Sequence, residues 1–127
     1  MQKFLAIFLL FSFIGFAQPN EFDKYGPFGS QVYTNLKTAL DITTNVYKMD
    51  LSYQKLEPKL YAKIGKLKDL QALRLSGNEI TTYPAGFSDL YNLVYFASYN
   101  NDFTSFPPEL KKLSNLNYLE FFAAKFD

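Results

Sequence analysis

A periodicity of 23 residues in the second half of the chain is the sequence feature that most restricts its possible folds. When residues 67–126 are shifted by 23 positions, large apolar residues fall on large apolar residues, Asn78 falls on Asn101, and Pro84 falls on Pro107. A fixed period of about 20 to 50 residues is typical of solenoids, in which each repeat is one structural unit. The apolar sets that coincide are Leu67, Leu90 and Leu113; Leu70, Leu93 and Leu116; Leu73, Phe96 and Leu119; and Ile80, Phe103 and Phe126.

A less regular repeat precedes these, over residues 46–69. It is 24 residues long, and Gln54 stands where the later repeats carry Asn. Because terminal repeats are usually atypical, this irregularity is expected of the first unit in an array. The apolar residues Val46, Met49, Leu51 and Leu56 match Leu70, Leu73, Leu75 and Ile80.

The second repeat shows the pattern in full, with leucines, an Asn and a Pro at fixed spacings. In order it reads Leu70-x-x-Leu73-x-Leu75-x-x-Asn78-x-Ile80, followed by Pro84-x-x-Phe87-x-x-Leu90. This pattern resembles the leucine-rich repeat signature, and its length is similar to the typical 23-residue class found in Ras-suppressor-type and many secreted bacterial proteins. The resemblance implies an α/β fold: a right-handed solenoid with a short parallel sheet on its concave face. It also implies that the chain binds partners rather than catalysing reactions.

Alternation around Arg74 predicts a short strand in which Leu73 and Leu75 both point inward. One coil cannot bury these side chains alone, so stacked coils must supply the core. Asn78 and Asn101 follow the strands where the chain turns, and an inward Asn can bond backbone groups that the turn leaves unpaired. The resemblance implies a ladder of such Asn side chains.

Two positions depart from the pattern. Ser98 occupies the inward site that Leu75 holds one repeat earlier. Either Phe96 and Phe103 fill the missing volume, or the Ser98 hydroxyl bonds a nearby backbone carbonyl. In the last repeat, Ala124 occupies the Asn site.

The sequence stops at Asp127, partway through a fourth repeat. Leu116, Leu119, Phe121 and Phe126 are therefore expected on an uncovered edge, which is a hazard for strand pairing or aggregation. Three explanations are open: a truncated reading frame, a fragment of a longer array, or self-association that pairs these ends.

The first 17 residues are predicted to be a signal peptide. Lys3 precedes an apolar run over residues 4–16, and small residues at its end favour cleavage after Ala17. The run is shorter than the roughly 20 residues of a bilayer span, although an uncleaved membrane anchor is the alternative. The junction Ala17-Gln18 resembles bacterial signal peptides. We therefore expect a secreted, periplasmic or cell-surface protein with no stable membrane span after cleavage.

Residues 18–45 are predicted to be an irregular lead-in followed by a capping helix. Pro and Gly residues interrupt the lead-in, and its aromatic residues Phe22, Tyr25 and Phe28 have no partner that the sequence identifies. A helix is predicted over residues 33–41, with Thr34 as its N-cap.

One face of this predicted helix is apolar, because Leu36, Ala39 and Leu40 recur at helical spacing. Such a helix can cover the open end of the first repeat, which begins the array at residues 46–127. The alternative is a linker helix with no structural role.

The residues between the inward leucines are expected to face outward on the concave side. Tyr and Phe exposed together on a rigid sheet commonly anchor protein interfaces, so we hypothesise a protein-binding patch here. The alternative is an aromatic ladder that only stabilises neighbouring strands. The candidate patch consists of Arg74, Tyr95, Tyr99, Tyr118, Glu120 and Phe122.

Composition excludes several kinds of chemistry. The chain has no Cys and no His, which removes thiol chemistry and the commonest general base and metal ligand. Its formal net charge of +1 gives no general attraction to nucleic acids. No carboxylates have the spacing of an acid–base pair, and Asn100-Asn101-Asp102 lacks the spacing of a calcium loop. We predict a non-enzymatic protein with no catalytic residues, cofactor, metal or nucleic-acid partner.

Two functional hypotheses follow. The first is a protein–protein interaction module that binds a protein of unspecified identity through the concave face. The second is a structural N-terminal cap and starter array of a longer or truncated secreted repeat protein, with no independent activity.

Overall fold

The computed structural model describes residues 6–7 and 21–123, with side chains described at 22 and 24–121. These residues form an α/β repeat fold around one parallel sheet with the strand order β1-β6-β5-β4-β3-β2. The strands are β1 (Ala6–Ile7), β2 (Val32–Tyr33), β3 (Lys48–Asp50), β4 (Ala72–Arg74), β5 (Tyr95–Asn101) and β6 (Tyr118–Ala123). The α-helices are α1 (Leu36–Ile42) and α2 (Pro58–Tyr61), and the 3-10 helices are Glu21–Lys24, Ile64–Lys66, Ala85–Asp89 and Pro108–Lys112.

The register of the sheet follows the sequence period. Leu73 pairs with Phe96, and Phe96 pairs with Leu119, so residues 23 positions apart are direct neighbours. Each of these three side chains is at most 1% exposed. Burial is therefore shared between coils, as the periodicity predicts, because each inward side chain is covered by its equivalents above and below.

Asn78 and Asn101 tie successive coils together where the strands end. Asn78 donates from Nδ2 to the carbonyl of Leu51, at 2.8 Å, and accepts at Oδ1 from the Gln54 N–H, at 3.0 Å. Asn101 accepts at Oδ1 from the N–H groups of Asn78 and Ile80, at 2.9 and 3.1 Å. Buried backbone groups that no strand can pair are thereby satisfied.

A second pair of asparagines makes a similar bridge at the opposite ends of the strands. Asn92 donates to the carbonyl of Lys68 at 2.8 Å, and Asn115 donates to the carbonyl of Tyr91 at 2.6 Å. Each bond spans 24 positions, so each joins one coil to the previous one. The sequence analysis did not identify this bridge, although its signal was available in two Asn residues one period apart.

The site of Ser98 is resolved by a residue that the sequence analysis did not consider. Tyr83 donates its hydroxyl to Ser98 Oγ at 2.6 Å, and Asn101 Nδ2 donates to the same oxygen at 3.0 Å. The Tyr83 ring stacks on Phe87 at 4.5 Å and lies 4.8 Å from Phe103. The smaller Ser98 side chain thus makes room for a buried phenol.

The predicted N-cap of the first helix is wrong. The cap is Asn35, whose Oδ1 accepts from the Thr38 N–H at 2.9 Å, and α1 begins one residue later. Thr34 does not cap, because its carbonyl accepts from Gln54 Nε2 at 2.7 Å, and the first helical bond runs from the Ala39 N–H to the Asn35 carbonyl.

The buried face of α1 agrees with the predicted apolar face. The inward side chains of the coils, among them Leu73, Phe96 and Leu119, form one buried cluster, which we call the leucine core. Leu36 and Ala39 belong to it, and Leu40 is partly buried against it. Helical spacing brings all three side chains to one side of the helix.

Most of the predicted signal peptide, including the cleavage position after Ala17, lies outside the described residues, as do Ala124, Phe126 and Asp127. The described part, β1, pairs in parallel with β6. This pairing covers the edge at Tyr118 and Leu119, and Leu119 is buried there. Residues 6–7 belong to the predicted signal peptide, so the pairing is a property of the uncleaved chain, and after cleavage the edge is expected to be open. Within the described ranges, no helix has the length and apolar character needed to cross a membrane.

The segments that return the chain between strands touch backbone to backbone at two glycines. A Cβ added at Gly65 would lie 2.1 Å from the carbonyl oxygen of Gly86. A Cβ added at Gly86 would come no closer than 3.7 Å to any neighbour outside its immediate sequence. Only the first position therefore excludes a side chain.

Gly65→Ala is expected to lower the free energy of unfolding by about 1–3 kcal/mol, because the new methyl must push two coils apart. Gly86→Ala, the matched control, is expected to stay within about 1 kcal/mol of the parent. Urea unfolding followed by circular dichroism measures both. Equal effects of the two substitutions would contradict the close packing of these coils.

The second prediction compares two buried tyrosine hydroxyls. The Tyr83 hydroxyl is bonded to Ser98, whereas the buried Tyr61 hydroxyl has no hydrogen-bond partner among the described residues. Burial raises the pKa of both phenols, so both stay protonated. Tyr83→Phe should cost about 1–2 kcal/mol, because it leaves a buried polar network incomplete.

Tyr61→Phe is the control, because it removes a buried group with no partner. It should leave the urea midpoint unchanged or raise it. A larger loss of stability for Tyr61→Phe than for Tyr83→Phe would show that the hydrogen-bond assignment is wrong.

Candidate functional site

The side chains that point away from the leucine core lie in rows across the strands, and we call this surface the outer sheet face. It corresponds to the concave face expected from the sequence. Cross-strand pairing fixes its rows, because direct partners point to the same side of a sheet. The first row is Lys48, Ala72, Tyr95 and Tyr118, and the second is Asp50, Arg74, Ala97 and Glu120.

Four of the six candidate residues are in contact on this face. The rings of Tyr95 and Tyr118 stack at 4.7 Å with planes 11° apart. The Tyr118 hydroxyl donates to Glu120, and Arg74 Cζ lies 5.7 Å from the Tyr95 ring. Tyr99 follows along β5, and the side chain of Phe122 lies outside the described residues. The Tyr95–Tyr118 stack is also the geometry of a stabilising cross-strand ladder.

Arg74 is the cation at the centre of this group. One of its terminal nitrogens lies 3.5 Å from Asp50 Oδ2, and its Nε lies 3.4 Å from the Tyr95 hydroxyl. Burial alone would lower the pKa of Arg74, but the Tyr95 hydroxyl and the Asp50 carboxylate outweigh this effect and raise it. Arg74 is therefore a fixed positive charge beside aromatic rings.

Tyr95 is not exposed, in contrast to the expectation for a partner-binding residue. Its side chain is 1% exposed, because residues 21–30 lie over it. The Phe22 ring meets Tyr95 edge-on at 5.6 Å, and the Tyr25 ring lies 5.5 Å away. Arg74 Cζ lies 4.3 Å from the centre of the Phe22 ring on the same face.

The partner of the lead-in aromatics is therefore the outer sheet face itself. Ala72 and Ala97 leave a hollow between larger neighbours, and Phe22 fills it. The Gly26 N–H donates to Gln71 Oε1 at 2.9 Å and fixes the segment at the next turn. Two small residues in the outward rows were the available sequence signal, because small side chains on a sheet face leave room for another element.

The carboxyl end of the sheet remains open beside this covered region. Tyr99 is 37% exposed and Tyr53 is 64% exposed. Asn100 Nδ2 donates to the Tyr53 hydroxyl at 3.2 Å, and the Tyr53 ring lies over Gly77, where an added Cβ would be 2.2 Å away. The pKa of Tyr99 is raised, mainly because the hydroxyl is partly buried and to a smaller extent because Tyr53 and Glu120 lie near it.

Tyr53 has a backbone conformation unusual for its residue type. It occupies the repeat position of Gly77 and Asn100, and the three φ angles are 57°, 69° and 53°. Gly and Asn tolerate this left-handed region, whereas a bulky residue there costs roughly 1–2 kcal/mol. Tyr53 is thus a strained, exposed aromatic residue at the edge of the candidate site.

The acidic residues do not form a metal site in the described ranges. In the part that the structure describes, no group of three or more Asp or Glu side chains could hold a metal ion. The acidic residues of the outer sheet face, Asp50 and Glu120, lie beside Arg74 and Tyr118 respectively.

The chain is similar to a protein of known structure. Neither the protein-family models nor the curated proteins contain a match. Among solved structures, the chain is similar to the Leptospira interrogans LRR protein LIC12759, with 37% sequence identity over 73% of this chain and a TM-score of 0.65. The match covers 24% of that protein, so the chain spans about a quarter of its length.

Nitration with tetranitromethane tests the covered region. In the native chain we expect Tyr53 to be modified and Tyr95 to be protected, because the Tyr95 ring lies beneath Phe22 and Tyr25. Peptide mass spectrometry locates the modified residues, and denatured protein provides the control in which both react. Nitration of native Tyr95 as fast as that of Tyr53 would contradict the covered geometry.

Proposed function

Because the chain is a leucine-rich repeat protein, we propose that it is a non-enzymatic protein–protein interaction module that binds a protein partner through its outer sheet face. Solenoid proteins of this kind present extended concave surfaces to their partners. Members of this family are typically non-enzymatic, which supports a binding role.

The observation that carries this proposal is the exposed pair formed by Tyr53 and Tyr99. Tyrosine is enriched among the residues that dominate protein interfaces. Tyr53 keeps a strained backbone at a position where the other repeats use Gly77 and Asn100.

The remaining candidate residues extend the contact area. Glu120 and Arg74 both lie close enough to influence the Tyr99 hydroxyl, so the pair has a negative and a positive group beside it. Tyr118 is partly exposed next to Glu120. We propose that Arg74, Tyr118 and Glu120 surround the tyrosine pair, while Tyr95 is covered by the lead-in. Phe122 stays a candidate from the sequence, because its side chain lies outside the described residues.

A structural role is the second candidate function. The chain spans 24% of the Leptospira protein, which favours a starter array within a longer secreted repeat protein. Under this alternative, α1 covers the leucine core through Leu36 and Ala39, and the open tyrosines need no partner.

We also propose that the chain is exported and that α1 caps the N-terminal end of the repeat array. The apolar start of the sequence, with a small residue at Ala17, supports export by a signal peptide in a bacterium. The burial of Leu36 and Ala39 against the first coil supports α1 as the N-terminal cap. We also propose a right-handed coil, the hand of nearly all parallel crossover connections.

The binding proposal is tested with Tyr53→Asn combined with Tyr99→Ala. Asn is the residue at the equivalent position 100, so its backbone should accept the left-handed conformation and the variant should remain folded. The immobilised full chain serves as bait in an extract of the source organism. We expect the double variant to capture at least about tenfold less of the partner protein than the parent does.

Tyr91→Ala is the matched control, because Tyr91 is 59% exposed and lies outside the outer sheet face, beside Lys68. It should capture the same protein as the parent. Quantitative mass spectrometry of the eluates compares the three baits. Undiminished capture by a folded double variant would exclude the tyrosine pair as the contact.

A further inference from the structure

The outer sheet face has a small apolar core of its own, separate from the leucine core. It consists of Phe22, Ala72, Tyr95 and Ala97, with Tyr25 packed against them. Residues 21–30, which we call the strap, supply its upper layer. The regular structure of the strap is a 3-10 turn, Glu21–Lys24, and the rings of Phe22 and Tyr25 contact Tyr95 of the sheet.

The contacts of the strap are of a kind that a separate peptide can reproduce. The Phe22 ring lies 4.3 Å from Arg74 Cζ and meets the Tyr95 ring edge-on at 5.6 Å. The Tyr25 ring lies 5.5 Å from the Tyr95 ring. One backbone N–H donates to the side-chain carbonyl of Gln71. These contacts recognise two aromatic side chains three residues apart, followed by a free N–H.

The strap aromatics Phe22 and Tyr25 are not part of the core of the repeat array, so we expect the array to fold without them. The leucine core contains neither Phe22 nor Tyr25. The chain after the strap is anchored independently, because β2 pairs with β3 and Leu36 is buried in the leucine core. Gly26 and Gly29 both have a φ of 77°, and between them the Phe28 side chain is fully exposed in a turn.

We propose that the hollow at Ala72, Arg74, Tyr95 and Ala97 is a peptide-binding site for a Phe-x-x-Tyr segment, and that the strap occupies it in cis until such a segment displaces it. The inference rests on the proposed function, since it assigns a ligand class to part of the same face. Displacement would expose the Tyr95–Tyr118 stack beside Tyr99. The two parts of the face would then form one continuous aromatic surface.

Because the strap belongs to the same chain as the hollow, it competes with any peptide that is added. A tethered segment acts at an effective concentration of about millimolar, so a micromolar peptide cannot displace it from the native chain. Replacing Phe22 and Tyr25, the two strap aromatics that contact Tyr95, removes the competitor and leaves the hollow unchanged. The site should then bind the same segment supplied from outside.

The test uses a fluorescently labelled peptide of residues 21–30 and measures its anisotropy with full-length chains. The peptide is expected to bind Phe22→Ala/Tyr25→Ala and to bind the parent at least about tenfold more weakly. Phe28→Ala is the matched control, because Phe28 lies in the same strap but is fully exposed, and it should behave as the parent does. A peptide with the residues at positions 22 and 25 replaced by Ala, and Phe28 kept, should not bind.

Absence of peptide binding to a folded Phe22→Ala/Tyr25→Ala chain would overturn the proposal. Equal binding of the peptide to the parent, or equal binding of the peptide in which Phe22 and Tyr25 are replaced by Ala, would also overturn it. The assay needs no natural partner. If the peptide does not bind but capture of the partner protein depends on Tyr53 and Tyr99, only this inference is excluded. If the peptide binds but capture does not depend on the two tyrosines, only the proposed function is excluded.

A second measurement covers the case in which the double variant does not fold. The chain has no Trp, so Phe22→Trp gives a single fluorescent reporter in the strap. Its emission is expected to be blue-shifted, as for a buried indole, and to shift to the red when the unlabelled peptide is added at millimolar concentration. Emission typical of exposed indole in the folded chain, or no change with the peptide, would contradict displacement from the hollow.

Discussion

Parallel pairing of strands one repeat apart is the constraint on which the rest of the structure depends. It places Phe96 between Leu73 and Leu119, so each side chain is buried by its own equivalents. The asparagine bridges require the same register, because Asn101 can satisfy the Asn78 N–H only from the adjacent coil. Apolar burial and backbone hydrogen bonding therefore select one stacking arrangement, and a slip in register would lose both.

The same register produces an outer sheet face with two unlike regions. Where Ala72 and Ala97 fall side by side, the face is hollow and the chain fills it with Phe22. At the carboxyl ends of the strands, Tyr53 and Tyr99 remain open. One region is satisfied within the molecule and the other is not, and this difference underlies both proposals for binding.

Features that repeat along the chain could be predicted from the sequence, because the same type of residue occurs several times at the same spacing. The inward leucines, the strand positions and the turn asparagines all belong to this class. Features that occur once have no such signal. The bond from Tyr83 to Ser98 and the packing of Phe22 on Tyr95 join residues far apart in sequence, and each is made by a single pair.

Local chemistry was also insufficient at the first helix. Thr34 and Asn35 are both good N-caps, and the hydrogen bond from Gln54 of the first repeat to the Thr34 carbonyl decides between them. Similarly, the left-handed backbone at Tyr53 is evident only after its repeat position is compared with those of Gly77 and Asn100. In both cases tertiary structure determines the outcome among locally acceptable alternatives.

The most direct measurement of the stacked coil is a nuclear Overhauser spectrum of the folded chain with labelled Leu methyls and Phe rings. The account predicts cross-peaks from Phe96 ring protons to the methyls of both Leu73 and Leu119, because Phe96 pairs with each of them in the sheet. Resolved signals from a folded chain in which Phe96 contacts neither leucine would contradict it.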